Sequence, residues 1–495
     1  MRTSFSILTL AILAAVAPSS ALAESAHRTG KAKNIILFLG DGMGVSTVSA
    51  TRVLSVGVGG DLVLDKMPNT ALARTADADH ITPDSASTMS SIVSGIPANS
   101  GVFGFGPEVE FGDFNQDGDG PRTSTLLEQA KARGMRVGVV STARVTHATP
   151  AACYAHSNDR NAENEIALQA LPTDGSYNKA LGKGVDLMLG GGRQFFVPAG
   201  VVDEEGGTGS RSDGRDLRVE FQDAGYTYLW NDEQLARLTS RDLPVLGLFE
   251  RSHMEYEYDR PTDVGGEPSL SEMTAKAIDL LEGRSKRGRH GRGYFLMVES
   301  GRIDHAHHEG NAFRALTDAE ELDRAVGEAL TRVDLRDTLI LVTADHSHVF
   351  TMAGYPLRPA ADLAYPVVSA PDEYVDAPHN NLFEVVYDVD DDGNVVPATD
   401  RDGAPYTILG YHNGPGYRGV PRISPHLDPF LGRGGVAASG PNDPNYLQES
   451  AVPLGSETHA GEDVALYAIG AGSKRVQGTM PQTSIYRVMR AALGF

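Results

Sequence analysis

Six short, unbroken apolar runs constrain this chain more than any other feature. They are Asn34 to Leu39, Val137 to Ser141, Asp186 to Leu189, Tyr294 to Val298, Thr338 to Val342 and Val464 to Ile469, and each gives way within a few residues to glycine, serine or an acidic side chain. A continuous Val/Ile/Leu run without alternation is what a strand covered on both faces requires, which is the mark of a parallel sheet. Between the runs lie helical patterns, with apolar residues at Ala312, Ala315, Leu316, Ala319, Leu322, Val326 and Ala329, and again at Leu270, Met273, Ala277 and Leu280. The expected fold class is α/β, a three-layer sandwich with a central, mostly parallel sheet flanked by helices. Ligands of such sheets bind beyond the carboxyl ends of the strands, so the chemistry is sought just after each run.

Charge removes one class of function. With 43 basic against 65 acidic side chains in 495 residues, the formal net charge is −22, and a nucleic-acid binder needs a basic stripe that this balance does not supply. The N-terminus reads as a signal peptide over residues 1–23: Arg2, an apolar run from Phe5 to Ala17, and an Ala21-Leu22-Ala23 cleavage signature. The run is shorter than the ~20 residues that span a bilayer. No later stretch resembles a membrane span and the C-terminal tail is too short for a lipid-anchor signal, so the expectation is an exported, periplasmic or secreted protein without a membrane anchor. Cys153 is the sole cysteine and has no partner in its own chain.

Metal-ligand residue types gather where the sheet argument places them. Asp41 follows the first run, Glu299 the fourth, and Asp345 with His346 the fifth; Asp304 and His308 form an i, i+4 pair that one helix face can aim at a single ion, and His459 precedes the last run. Any one of these acids reads equally as a solvated loop residue, but several on one sheet edge read as a site. Mixed carboxylate and imidazole suit zinc, and all-oxygen sets suit magnesium. Ser85, in Thr82-Pro83-Asp84-Ser85-Ala86, precedes a helical stretch, which suits either an N-cap or a nucleophile at a helix end that welcomes an anion.

Taken together, these blocks resemble the alkaline phosphatases. The resemblance runs through Asp41-Gly42-Met43-Gly44, Asp84-Ser85-Ala86, Arg144-Val145-Thr146-His147-Ala148-Thr149-Pro150, Gly190-Gly191-Gly192-Arg193, Glu299 to His308 and Thr343 to His348. The His-rich blocks are most similar to the family's vertebrate-type branch. What the resemblance implies is an exported phosphomonoesterase with two Zn2+ and one Mg2+. One zinc is expected at Asp304, His308 and His459, the other at Asp41, Asp345 and His346, and the magnesium at Asp41, Thr149 and Glu299. Ser85 is the expected nucleophile of a covalent phosphoserine and Arg144 the expected phosphate fork, with His147, His305 and His348 behind the ligands. Small phosphomonoester substrates and a homodimer are implied in the same way, with no nucleic acid as a stable partner.

The chain also departs from that pattern. Met89 stands where very small residues are usual, His147 where other bacterial members have Asp, and His305 where many have Lys. The stretch from His346 to His459 is far longer than a connection between strands needs, so a crown-like insertion is expected over about residues 353–455 within a catalytic domain of 24–495, with a smaller one at about 95–122. Each insertion carries an acidic repeat with calcium-loop spacing, Asp113, Asn115 and Asp117 in one and Asp388, Asp390 and Asp392 in the other. Both repeats read equally as solvated turns, since neither has Glu at position 12. Asp203, Phe249, Glu250 and Glu267 match positions where the vertebrate-type branch binds structural Ca2+. Two alternatives stay open: a phosphodiesterase of the same superfamily, and a non-catalytic exported protein that binds metal or phosphate.

Overall fold

The computed structural model describes residues 31–112, 121–283, 291–356, 382–401, 403–419 and 440–495. The expected signal peptide and the repeat at Asp113, Asn115 and Asp117 lie outside the described residues. The strands are β1 (Asn34–Gly40), β2 (Asn69–Arg74), β3 (Arg136–Arg144), β4 (Leu187–Gly191), β5 (Thr227–Leu229), β6 (Val245–Leu248), β7 (Tyr294–Ser300) and β8 (Thr338–Ala344), then β9 (Ser347–His348), β10 (Phe350–Met352), β11 (Tyr387–Val389), β12 (Val395–Pro397), β13 (Leu409–Gly414), β14 (Glu449–Pro453), β15 (His459–Ala460), β16 (Val464–Gly470) and β17 (Gly478–Pro481).

Ten of them form one sheet in the order β17-β2-β16-β8-β1-β7-β3-β4-β6-β5. β1 lies between β7 and β8, parallel to both, and all seven of its residues are buried. The unbroken apolar run has therefore produced the doubly covered strand it implied. β16 differs: it runs antiparallel to β8 and to β2, and half-buried positions alternate through its first residues. Its apolar composition disclosed a strand but not the strand's direction.

Helices cover both faces. Ala312–Arg332 packs on Leu270–Glu282, Arg302–His308 and Val45–Val56, while Ser85–Ser94 packs on Ala148–Tyr154 and Thr483–Leu493, and both groups rest on the central strands. The helix Ala312–Arg332 turns Ala312, Ala315, Leu316, Ala319, Leu322, Val326 and Ala329 inward, the periodicity read from sequence. Part of the large insertion brings its own apolar cluster, in which Leu382, Phe383, Ile408 and Tyr411 join Phe350 in packing on Phe313 and Leu316 of that helix. Among the described residues no helix is long and apolar enough to cross a membrane.

Candidate active site and metal centres

Ser85 opens the helix Ser85–Ser94 and is buried. Asp84 caps that helix, its carboxylate accepting from the Ala86 N–H at 3.0 Å and the Gly101 N–H at 3.0 Å. The Asp84 side chain is the cap, so the Ser85 hydroxyl is left free for other contacts. Asp77 holds the approach to the helix, accepting from the Asp84 N–H at 3.1 Å and from the Ser87 hydroxyl; burial pushes its carboxyl up to about 7. Met89, one turn beyond the nucleophile, is fully buried in the main core.

The Ser85 Oγ lies 3.1 Å from His346 Nε2 and 3.4 Å from Asp41 Oδ1. His346 Nε2 is in turn 3.4 Å from Asp41 Oδ1 and 3.4 Å from Asp345 Oδ2. Asp41 and Asp345 sit at the ends of adjacent parallel strands, which is why a hydroxyl, an imidazole and two carboxylates converge at one sheet edge.

A second group lies beside it. Asp304 Oδ1 is 3.4 Å from His308 Nε2, 3.3 Å from His459 Nε2 and 2.8 Å from His348 Nε2, and the His308 and His459 Nε2 atoms are 3.1 Å apart. Asp304 and His308 come from the short helix Arg302–His308, as their spacing required. Backbone acceptors set both rings: His308 Nδ1 donates to the Glu457 carbonyl at 2.6 Å and His459 Nδ1 to the Pro83 carbonyl at 2.7 Å. Each ring is thereby fixed in the tautomer whose Nε2 is bare and faces Asp304, the arrangement that imidazole ligands of metals show.

Behind Asp41 lies the third group. Asp41 Oδ2, Thr149 Oγ1 and Glu299 Oε1 are buried and none has a hydrogen-bond partner of ordinary geometry among the described residues; the same holds for His147 Nδ1. Asp41, His147 and Glu299 each offer a ligand atom within 4.8 Å of the others. Three orphaned oxygens beside one imidazole nitrogen are unfavourable without a cation, so the donor set fits a divalent ion. Electrostatics agrees. Burial and then the neighbouring acids push Asp41 well above the usual carboxylate range, Glu299 to about 8 and Asp345 to about 6. Asp304 goes the other way: burial opposes its charge, but His308, His348 and His459 hold it well below that range.

The expected arginine is engaged elsewhere. The Arg144 guanidinium is spent on Glu163, with bonds of 2.9 and 2.7 Å, and also meets His253. The guanidinium that the structure brings to the nucleophile is that of Arg160, which bonds the Asp84 carboxylate and reaches His147 Nε2 at 3.1 Å. No motif marked Arg160; the short helix Ala148–Tyr154 and the loop after it carry the chain back to the site. His253 was also missed. It groups with His147 and His305, and its ring lies 4.0 Å from that of His305. Burial, followed by neighbouring imidazole and guanidinium groups, holds all three rings well below the usual histidine range. His147 Nδ1 faces the third group, while Arg144 and Arg302 lie against the His253 ring.

The candidate calcium residues are partly rearranged. Both Asp203 oxygens are occupied, one by Arg193 Nε at 3.1 Å and the other by the Gly207 N–H at 2.8 Å. Glu205, whose Oε2 also meets the Arg193 guanidinium, lines a cavity of about 360 Å³ with Glu250, Glu255 and Asp263. Phe249, preceding Glu250, is fully buried. Glu267 accepts from the Glu255 N–H at 2.8 Å, and burial, then Asp263 and the nearby glutamates, raise it to about 8. Buried oxygens of Glu205, Asp263 and Glu267 lack partners. The other repeat forms the turn between β11 and β12: Asp390 accepts from the Asp392 and Asn394 N–H groups at 3.0 and 2.8 Å, while Asp388 and Asp392 are exposed. That carboxylate serves the turn.

A buried hydroxyl at a helix start, facing carboxylate and imidazole clusters at the edge of a sandwiched parallel sheet, defines a metal-dependent hydrolase of the α/β class. The alkaline phosphatase family model matches residues 32–495. The tissue-nonspecific alkaline phosphatase of Gallus gallus is 40% identical over 486 residues, covering 93% of this chain and 84% of the relative. That of Homo sapiens is 37% identical over 487 residues, covering 94% and 84%. In fold the chain is similar to the alkaline phosphatase of Thermus thermophilus, with a TM-score of 0.64 and 24% identity over 98% of this chain and 96% of that one. The chain belongs to the alkaline phosphatase family, and its activity is that of a phosphoric monoester hydrolase.

Proposed function

We propose that this exported enzyme hydrolyses small phosphate monoesters through a covalent phosphoserine at Ser85, with two zinc ions and one magnesium ion. The observation that carries the reading is the Ser85 hydroxyl, buried between Asp41 and His346. Asp304, His308 and His459 would hold one zinc, Asp41, Asp345 and His346 the other, and Asp41, Thr149 and Glu299 the magnesium, with His147 beside it. When bound, these cations supply the positive charge that neutralises a phosphate dianion and the charge developing on the attacking and leaving oxygens. The protein's own residues do the rest. The Arg160 guanidinium, anchored on Asp84, orients the phosphoryl group as a planar fork. Ser85 Oγ attacks phosphorus in line, the ester P–O bond breaks, and the alcohol departs with a proton. Water then attacks the phosphoserine from the vacated side, phosphate leaves, and Ser85 regains its proton. Two inversions give retention at phosphorus. The pocket of Glu205, Glu250, Glu255 and Asp263 is read as a separate calcium site.

Trapping labelled substrate at acid pH and sequencing the labelled peptide tests this directly. The label is expected on Ser85, and Ser85→Ala is expected to lose turnover while still binding zinc. Label on any other residue, or a larger kcat/KM for the methyl diester than for the aryl monoester, overturns the reading.

A further inference from the structure

We infer that Glu457 is a positioning residue for the ion assigned to Asp304, His308 and His459, tying three separate stretches of chain into one cradle. The inference rests on the ligand roles proposed above for those three residues and adds a fourth residue that does not touch the ion.

Glu457 lies two residues before His459, where the chain returns from the large insertion and enters β15. That strand pairs antiparallel with β9, setting His459 opposite His348. The Glu457 side chain is fully buried. Its backbone forms a reciprocal pair with His308: the Glu457 N–H donates to the His308 carbonyl at 2.9 Å and the Glu457 carbonyl accepts from His308 Nδ1 at 2.6 Å. Its carboxylate divides between two neighbours. Oε1 accepts from the Val349 N–H at 2.7 Å, and Oε2 meets His348 Nδ1 at 2.5 Å. The far nitrogen of His348 reaches Asp304 Oδ1 at 2.8 Å. A line therefore runs from Glu457 through an imidazole to a ligand carboxylate, while the same residue's main chain orients the His308 ring.

Two further observations separate this from ordinary burial. Both carboxylate oxygens are already occupied, so Glu457 serves the centre through other residues and not as a ligand. His348 lies so close to Gly42, at φ +67°, that a Cβ there would collide with its Nε2, so the ring's place beside Asp304 depends on that glycine. Partners that orient ligands in this way typically contribute about 10–100-fold to metal affinity.

The test is zinc competition against a chromophoric chelator on the full chain, resolving the stepwise constants for wild type, Glu457→Gln and His348→Gln, with Asp304→Asn marking which step belongs to this centre. Glutamine keeps the shape but turns an N–H2 toward either Val349 or His348. The expected result is a loss of about 10–100-fold at the Asp304 step alone, in both variants. Unchanged constants in Glu457→Gln overturn the inference, as do equal losses at both steps, which would mark a general loss of structure. If Glu457→Gln does not fold, His348→Gln carries the same comparison. Absence of any Asp304-dependent step in wild type would instead remove the ligand assignment beneath the inference.

Discussion

Replacing Arg160 by alanine isolates the phosphate-orienting step that the proposed mechanism gives to Arg160 in place of Arg144. A guanidinium has five N–H donors; Arg160 gives one to Asp84 and one to His147, which leaves donors for two phosphate oxygens. Charge-assisted hydrogen bonds contribute about 1.5–3 kcal/mol each, and two lost together, less than additively, amount to about 2–4 kcal/mol. That corresponds to a fall in kcat/KM of roughly 30- to 900-fold. The fold should tolerate the change, because Asp84 keeps its bonds from Ala86 and Gly101. Arg160→Lys, a point charge without the fork, should recover only part of the loss. Arg144→Ala should behave differently. It leaves the Glu163 carboxylate, 7% exposed, without its ion pair, which costs about 3–5 kcal/mol of stability but little affinity for phosphate. The assay is the inhibition constant of inorganic phosphate, measured beside kcat/KM and the melting temperature in all three variants. Weakened phosphate inhibition in Arg144→Ala with no change in Arg160→Ala would refute the reassignment.

Met89→Ala removes a fully buried side chain and should destabilise the protein by about 2–5 kcal/mol in denaturant titration; a loss well under 1 kcal/mol would mean that the helix behind Ser85 is not packed as described. Because the folded-state pKa of Asp77 is raised to about 7, the folded protein holds a proton there that the unfolded chain releases near the ordinary carboxylate value. Stability contributed at this position is therefore present at low pH and lost as pH rises from about 4 through about 7. Melting temperatures across that window should fall less steeply for Asp77→Asn than for wild type, and identical slopes would contradict the shift. Calcium added to the zinc- and magnesium-loaded protein should raise the melting temperature, and Glu205→Gln with Glu250→Gln should abolish the rise by mass action; an undiminished rise in the double variant would exclude the pocket.

The central sheet was legible in the sequence because β1, β3, β7 and β8 are covered on both faces and so read as unbroken apolar runs. The edge was not. β2 reads Asn-Thr-Ala-Leu-Ala-Arg with alternating exposure, a pattern too short to outweigh its polar ends. The metal clusters were legible for a local reason: Asp304 with His308, and Asp345 with His346, are close in sequence because each pair hangs on one element. Residues brought in by long returns of the chain left no such trace. Arg144 lay inside a recognisable block and was read as the fork, yet Glu163 claims it; Arg160 does the approaching from a loop without a motif. Asp203 was the candidate in the sequence, and only the fold shows its two oxygens taken by Arg193 and the Gly207 N–H while Glu205 lines the cavity.

The reversed direction of β16 has a consequence for the order in which the molecule can be completed. The ligands on the parallel strands follow their strands, but an antiparallel strand brings its beginning to that same edge, so His459 arrives on the way in. A chain emerging from its N-terminus presents Asp304 and His308 before the insertion, and His459, proposed above as the third ligand, only after the whole insertion has been made. Closure of the proposed centre thus requires the insertion to be complete, and a chain cut short within it would leave Asp304 and His308 waiting for a partner that never comes.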